Sequence, residues 1–385
     1  MTAFQFESTL RMALREAAER EEQSGRLARS AAKTRSTLLV TGRWLPVTAV
    51  VGAILLALAV AAVVLTFGHS ERTPVRPPKV VARLMLADSL GGAVSANGSL
   101  WIEDRGRNRL LRIDPHTRQV TARLPVPDDV AMAPAGGALW TLPVRATHRP
   151  NDFQASLLRI DPRTGRLAAR VPLRTPHGEP FAGLALAADQ DAVWILGTTP
   201  TWHDRDKLGA LRVDPRSGRV TTLIALPGRW GPDGIAVRGG DLWAITTNSR
   251  LLRFDARTGR KLSDSPLSLQ PPDPNADPVP GSLGFAGDAL VTTVRGGLAR
   301  IDPYTGRVVW RRPLGQNVQT WTGDGGLIWA AVATRKSDRL FAVDPHDGHV
   351  ATSVDLVAFG SSGIAAIDHQ LWVTTAAGEA VVLAR

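Results

Sequence analysis

Along most of the chain, apolar positions alternate with polar ones over short runs, and each run ends in Gly, Asp, Pro or Asn. A period of two, cut into pieces by turn residues, predicts half-buried strands joined by tight connections. One run recurs with nearly the same residues. Leu111-Arg112-Ile113-Asp114-Pro115 leads into Thr117, and Leu158-Arg159-Ile160-Asp161-Pro162 into Thr164-Gly165. Leu211-Arg212-Val213-Asp214-Pro215 leads into Ser217-Gly218, Arg253-Phe254-Asp255 into Thr258-Gly259, and Ala299-Arg300-Ile301-Asp302-Pro303 into Thr305-Gly306. A sixth copy, Phe341-Ala342-Val343-Asp344-Pro345, ends at Asp347-Gly348. Successive Asp positions lie 47, 53, 41, 47 and 42 residues apart. Four short strands repeated every 40–45 residues or so predict an all-β fold, a β-propeller.

Each unit divides into strands A to D. In the fourth unit, strand A is Gly234-Ile235-Ala236-Val237, and strand B is Asp241-Leu242-Trp243-Ala244-Ile245. Strand C is the recurring Leu-Arg-Ile-Asp run, and strand D is a run such as Arg219-Val220-Thr221-Thr222-Leu223-Ile224. At the C–D turn, Asp accepts from the turn amides, Pro fixes φ, and Gly takes the left-handed position. Strand B carries Trp101, Trp140, Trp194, Trp243, Trp329 and Trp372, with Val291 in that place in the fifth unit. Rings of that size fill the gaps between neighbouring blades, so these residues are expected in the core.

The B strands number seven, but there are only six Asp-headed turns. After Gln370-Leu371-Trp372-Val373 and Ala380-Val381-Val382-Leu383 the sequence has no further strand. The missing strand D is expected upstream, at Val80-Val81-Ala82-Arg83-Leu84-Met85-Leu86. An N-terminal strand completing the last of seven blades closes the ring and covers its open edges.

The hydropathy pattern changes before residue 80. Residues 47–67 carry no charge, enough to cross the hydrocarbon core of a bilayer as one helix. Arg26, Arg29, Lys33, Arg35 and Arg43 lead into this span, which points to a cytoplasmic N-terminus and an extracytoplasmic propeller. Residues 4–32 predict an amphipathic helix, with Phe6, Leu10, Ala13, Leu14 and Ala17 on one face. The expected organisation is therefore a cytoplasmic helix and basic flank (1–43), a transmembrane helix (44–68), a Pro-rich linker (69–79) and a seven-bladed propeller (80–385). The expected location is the cell membrane, with the lipid bilayer as a partner through residues 47–67.

Composition narrows the chemistry. The absence of cysteine removes disulfides, thiolate metal sites and a cysteine nucleophile. The net charge is +11, and Lys occurs only at 33, 79, 207, 261 and 336. The Ala-, Arg- and Gly-rich composition suits a GC-rich bacterial genome. A net charge of +8 remains beyond residue 43, which favours anionic glycans or other cell-envelope partners. Nucleic acid is not expected, because no recognition motif or basic-aromatic array is present.

In such a fold the B–C and D–A connections share one face. Two long B–C loops, 143–152 and 198–207, belong to adjacent blades. They bring His148, Asp152, Trp202, His203 and Asp206 to that face. The D–A connections beside them add His177, Glu179, Trp230 and Asp233. His, carboxylate and exposed Trp suit ligand binding, with the indole stacking on a sugar or ring. No spaced pair of ligands or known metal motif is present, so neither a metal site nor a cofactor is expected. His116, His346 and His349 fall on the C–D turns at the opposite end. The recurring Arg of strand C (Arg112, Arg159, Arg212, Arg253, Arg300) precedes the recurring Asp by two, so both project from one side. Arg–Asp pairs and turn contacts between blades are expected, with a basic ring for anionic ligands as the alternative.

Gly231-Pro232-Asp233-Gly234-Ile235-Ala236-Val237, continuing through Asp241-Leu242-Trp243 to Arg253-Phe254-Asp255, resembles streptogramin lyase (virginiamycin B lyase) and NHL-type propellers. The resemblance spans about residues 80–385 and implies the same fold. That lyase family works with a His base and a Mg²⁺ held by glutamates after the strand B Trp. Only Glu103 stands in such a place here; the equivalent stretches read Trp243-Ala244-Ile245-Thr246 and Trp372-Val373-Thr374-Thr375. The run from Leu298 to Trp310 also looks like a quinoprotein repeat. The function expected is a non-catalytic ligand- or protein-binding scaffold on a membrane anchor. The alternatives are a lyase-type propeller enzyme and a sensor signalling through the N-terminal helix.

Overall fold

The computed structural model describes residues 75–126, 130–143, 156–199, 207–226, 234–246, 249–269 and 282–385. The helices expected at 4–32 and 47–67 lie outside the described residues; among these, no helix is long and apolar enough to cross a membrane. The described chain forms seven four-stranded antiparallel sheets. Blade 4 is representative: Ile235–Arg238, Asp241–Thr246, Arg250–Asp255 and Lys261–Pro266 pair in sequence order. The A strands of neighbouring blades meet all the way round, including the A strands of blades 1 (Leu90–Ala96) and 7 (Ser361–Ile367). The result is a closed seven-bladed propeller.

Closure comes from the N-terminal side. Lys79–Met85 pairs antiparallel with Glu379–Ala384 as the outer strand of blade 7, in the order Lys79–Met85, Glu379–Ala384, Gln370–Thr375, Ser361–Ile367. The register runs from Lys79 opposite Ala384 to Met85 opposite Glu379, with an irregularity between Val80 and Ala82. The expected strand was displaced by a single residue.

The core is divided among the gaps between blades. Seven buried clusters occur, one between each pair of neighbours. The strand B ring of each blade packs towards the next blade. Trp101 joins blades 1 and 2, Trp194 blades 3 and 4, and Trp372 blades 7 and 1. In blade 5 the smaller Val291 leaves space that Trp310, Trp321 and Phe341 help to fill. Trp310 donates its indole N–H to the Pro345 carbonyl at 3.1 Å, a packing contact between blades.

The C–D turns follow the expected hydrogen bonding. Asp114 Oδ1 accepts from the amides of His116 (2.8 Å) and Thr117 (3.0 Å), and Asp255 Oδ1 from those of Arg257 (2.9 Å) and Thr258 (2.7 Å). These amides hold both carboxyls below the usual carboxylate range. The turn glycines sit at positive φ, for example +72° at Gly165. They also lie tight against the preceding blade: a Cβ at Gly348 would be 2.7 Å from the Trp310 ring. In the first turn Arg118 takes this place, at φ +59°.

The strand C arginines do not pair with the turn aspartates, whose oxygens the turn amides occupy. Arg253 binds Asp241 on strand B, through Nε at 2.8 Å and also through Nη2. Arg112 Nε donates to Ser99 Oγ at 3.0 Å, and Arg212 reaches Thr221 Oγ1 and the Asp191 carbonyl, each at 3.1 Å. Arg300 crosses to the next blade, donating to the His346 carbonyl at 2.9 Å. The turn contacts between blades thus include Arg300, whereas the Arg–Asp ladder reduces to Arg253–Asp241.

Candidate binding face

Strand direction places the B–C and D–A connections together on one face, with the A–B and C–D turns on the other. Of the nine residues singled out from the sequence, His148, Asp152, Trp202, His203, Asp206, Trp230 and Asp233 lie outside the described residues. His177 and Glu179 are described, and both are exposed at the tip of the connection from blade 2 to blade 3. That connection folds on itself. Arg174 bridges to Pro180, the Thr175 amide donates to the Glu179 carbonyl at 2.8 Å, and Gly178 turns the chain at φ +87°. The turn presents the two side chains outward without joining them.

Three buried groups near the inner strands have a role that sequence reasoning did not give them: Glu103 and Thr374, known only from the strand B comparison, and Asp338, not singled out at all. Glu103 is 2% exposed. Its Oε1 accepts from the Val130 amide at 2.9 Å, at the start of blade 2. Its Oε2 accepts from the Gly92 amide at 3.2 Å and from Arg105 Nε at 3.3 Å. Thr374 Oγ1 donates to the Gly91 carbonyl at 2.6 Å and joins blade 7 to blade 1. Asp338, 1% exposed, accepts through Oδ2 from the amide and hydroxyl of Ser361, both at 2.6 Å. Each of these groups holds an inner strand to an adjacent blade. Glu103, the carboxylate that matched the lyase pattern, already satisfies three donors as a structural clasp.

Asp338 also organises the connection from blade 6 to blade 7. Its amide donates to the Ala358 carbonyl at 2.7 Å, and its carbonyl accepts from the Leu356 amide at 2.9 Å. The Ala376 amide holds the Gly360 carbonyl at 2.8 Å. From the closing strand, Arg83 Nη2 donates to the Leu356 carbonyl. Pinned in this way, the segment alternates in and out. Leu356 and Ala358 are buried, whereas Val357 is 76% and Phe359 58% exposed. Val357 adopts φ +52°, an outlying conformation for a β-branched residue. Met85, two residues beyond Arg83 on the closing strand, is also largely exposed. No sequence motif marks this segment; its signal is an apolar Leu-Val-Ala-Phe run in a connection where polar residues are usual.

Among the described residues, no group of three His, Asp or Glu side chains is placed to hold a metal ion. What the described part of the face offers is two exposed apolar side chains, Val357 and Phe359, on a connection held by backbone hydrogen bonds. Such a surface suits association with a protein.

The family match bears on the C-terminal part of the chain, the likeness to solved structures on most of it. Residues 247–385 match the family model described as outer membrane protein assembly factor BamB, about a third of the chain. No curated protein matches. The solved structure of BamB from Moraxella catarrhalis aligns with a TM-score of 0.49 and 15% identity, over 80% of this chain and 100% of that one. The computationally designed Ika8 protein aligns with a TM-score of 0.51 and 11% identity, over 80% of this chain and 98% of its own. At that identity the likeness to the designed protein is one of fold.

Proposed function

We propose that the chain is a membrane-anchored, extracytoplasmic propeller that binds a protein partner on its B–C and D–A face, without catalysis of its own. The observation that carries this reading is the connection 356–361, pinned through its backbone while Val357 and Phe359 face solvent. Apolar side chains held in one place lose little conformational freedom on binding, so they are effective anchors. The BamB family match lends support, because it covers residues 247–385 and its description names an assembly factor. On the sequence alone, the B–C loops 143–152 and 198–207 belong to the same reading, with His148, Asp152, Trp202, His203 and Asp206 proposed as polar and ring contacts for the partner. An anionic glycan remains an alternative ligand there.

The anchor is residues 47–67, with the N-terminus in the cytoplasm. Protease added to intact spheroplasts is expected to digest the propeller or clip its linker while sparing residues 1–43. Loss of the N-terminus with an intact propeller would invert the topology. For the partner, a photo-crosslinking residue at 359 is expected to give a discrete protein adduct in cells. The same residue at 168, on the outer strand of blade 2 just after its C–D turn, is expected to give none; adducts of equal yield at both sites would overturn the assignment of the face.

A further inference from the structure

The face opposite the proposed binding site carries an unusual charge distribution. In the C–D turns of blades 2, 3 and 4, one aspartate is accompanied by two exposed arginines: Arg163 and Arg166, Arg216 and Arg219, Arg257 and Arg260. The aspartate of each turn, Asp161, Asp214 or Asp255, points back to accept from the turn amides. Among the described residues, none of the six guanidinium groups forms an ion pair. The equivalent positions in blades 1 and 6 are occupied by His116 and Gln119, and by His346 and His349; in blade 5 they are Tyr304 and a single exposed arginine, Arg307. The paired arginines therefore form an arc over three successive blades.

The chain enters the propeller on this same face. Lys79 opens the outer strand of blade 7 and pairs with Ala384, next to the end of the chain. The following Arg385 amide donates to the carbonyl of His369 in the A–B turn, at 3.1 Å. In a ring of seven blades, blade 7 lies across the axis from blades 3 and 4. Entry point and arginine arc thus occupy one face at opposite sides of the ring. Between the uncharged span and Lys79 lie residues 68–78, a tether of at most about 40 Å when extended.

We propose that the C–D face lies flat on the anionic phospholipid surface of the bilayer, held on one side by the tether and on the other by the six arginines. This rests on the anchor assigned to residues 47–67. A tether alone would leave the propeller free to tilt, since it attaches at one point on the rim. Guanidinium groups bind phosphate oxygens in bidentate pairs, and basic clusters are drawn to anionic headgroups within a Debye length. Two attachments across one face remove the tilt and turn the B–C and D–A face away from the membrane, open to a partner.

The cysteine-free sequence makes the test direct. A full-length Ala168→Cys variant places a fluorophore on the exposed strand just after the blade 2 turn. Ala377→Cys places one in the exposed B–C turn of blade 7, on the opposite face. Both are reconstituted into phosphatidylcholine vesicles with or without phosphatidylglycerol, and energy transfer to a headgroup-attached acceptor is measured. With phosphatidylglycerol, transfer from 168 is expected to exceed that from 377. The difference should vanish at about 0.5 M salt and when the six arginines are replaced by Gln. Retained vesicle flotation with equal transfer from both positions would overturn the docking while leaving the anchor intact. Loss of flotation at high salt, with low-salt binding at least about tenfold weaker in the Gln variant, would overturn the anchor and leave the arginine contact standing. Release of the 168 signal by dextran sulfate, in vesicles that remain bound, would assign the arc to a soluble polyanion and overturn the proposal.

Discussion

Arg83 and Glu379 form an ion pair at 3.1 Å across 296 residues of sequence. Arg83 belongs to the first strand of the propeller and Glu379 to the last, so the pair lies on the seam where the ring closes. The same guanidinium donates to the Leu356 carbonyl, which ties the seam to blade 6. Removal of residues 79–86 would uncover the full edge of Glu379–Ala384 and the apolar clusters behind it. The truncated protein is expected to aggregate or to melt far below the intact chain, read by size-exclusion chromatography and thermal unfolding. Arg83→Ala is a milder change. The pair is partly exposed, so a loss of about 1 kcal/mol is expected in denaturant unfolding.

Asp338→Ala removes the acceptor for both the amide and the hydroxyl of Ser361 in a buried setting. Leaving those donors without a partner is expected to cost about 2–4 kcal/mol in urea unfolding. Asp338→Asn keeps one carbonyl oxygen and is expected to lose less. Equal stability of the Ala variant and the parent would show that another group or water takes over the clasp.

The turn conformation gives a paired test. Arg118 occupies the left-handed position that Gly165 occupies in the next blade, and its Nε is buried without a hydrogen bond. Arg118→Gly relieves the backbone and is expected to raise stability by up to about 1 kcal/mol. Gly165→Ala should do the reverse, since its Cβ would meet the Ala122 Cβ at 2.9 Å as well as the unfavourable φ. A loss of about 1–3 kcal/mol is expected, measured as a shift in the urea midpoint.

How much of this could be read from sequence depended on repetition. The turn aspartates, the strand B tryptophans and the closing strand recur in register, so every copy reinforced the assignment of the others. The arginine partners did not follow from repetition. Arg112, Arg212, Arg253 and Arg300 stand in equivalent places, yet each finds a different acceptor, because the neighbouring turns differ in sequence. From sequence, Glu103 stood out only by its place after the strand B Trp and Asp338 not at all; the approach of the next blade is what buries them. Val357 and Phe359 were hidden for a related reason. Their exposure is set by the Asp338 and Ala376 backbone contacts, which come from sequence positions on either side of the segment.

The turn carboxyls make stability depend on pH in a definite direction. Backbone amides, chiefly those of Thr117, Arg163, Ser217 and Thr258, lower the pKa values of Asp114, Asp161, Asp214 and Asp255 in the folded protein. A folded-state pKa below the unfolded one gives stability that is complete above the unfolded value, about 3.9. It is lost as the pH falls through the folded values. The urea midpoint is therefore expected to be insensitive to these groups from neutral pH to about pH 5, and to fall below about pH 4. Replacing the four aspartates by Asn should lower the midpoint at pH 7 and flatten the decline in acid. An unchanged acid slope in that variant would place the titration elsewhere.

Val357 and Phe359 separate binding from folding most clearly. Both side chains project from a connection whose backbone is held by Asp338, Ala376 and Arg83, so truncating them removes little from the core. Phe359→Ser is expected to change stability by less than about 0.5 kcal/mol, as surface substitutions away from packed features do. Val357→Gly should raise it by a few tenths to about 1 kcal/mol, because φ +52° is strained for a β-branched residue and easy for glycine. In the double variant, stability should therefore hold or rise. Adduct formation from a crosslinking residue placed at the exposed Met85, two residues beyond the Arg83 that donates to the Leu356 carbonyl, should nevertheless fall about tenfold or more if the two side chains anchor a partner. A stable double variant that crosslinks as well as the parent would remove the apolar projection from the binding face.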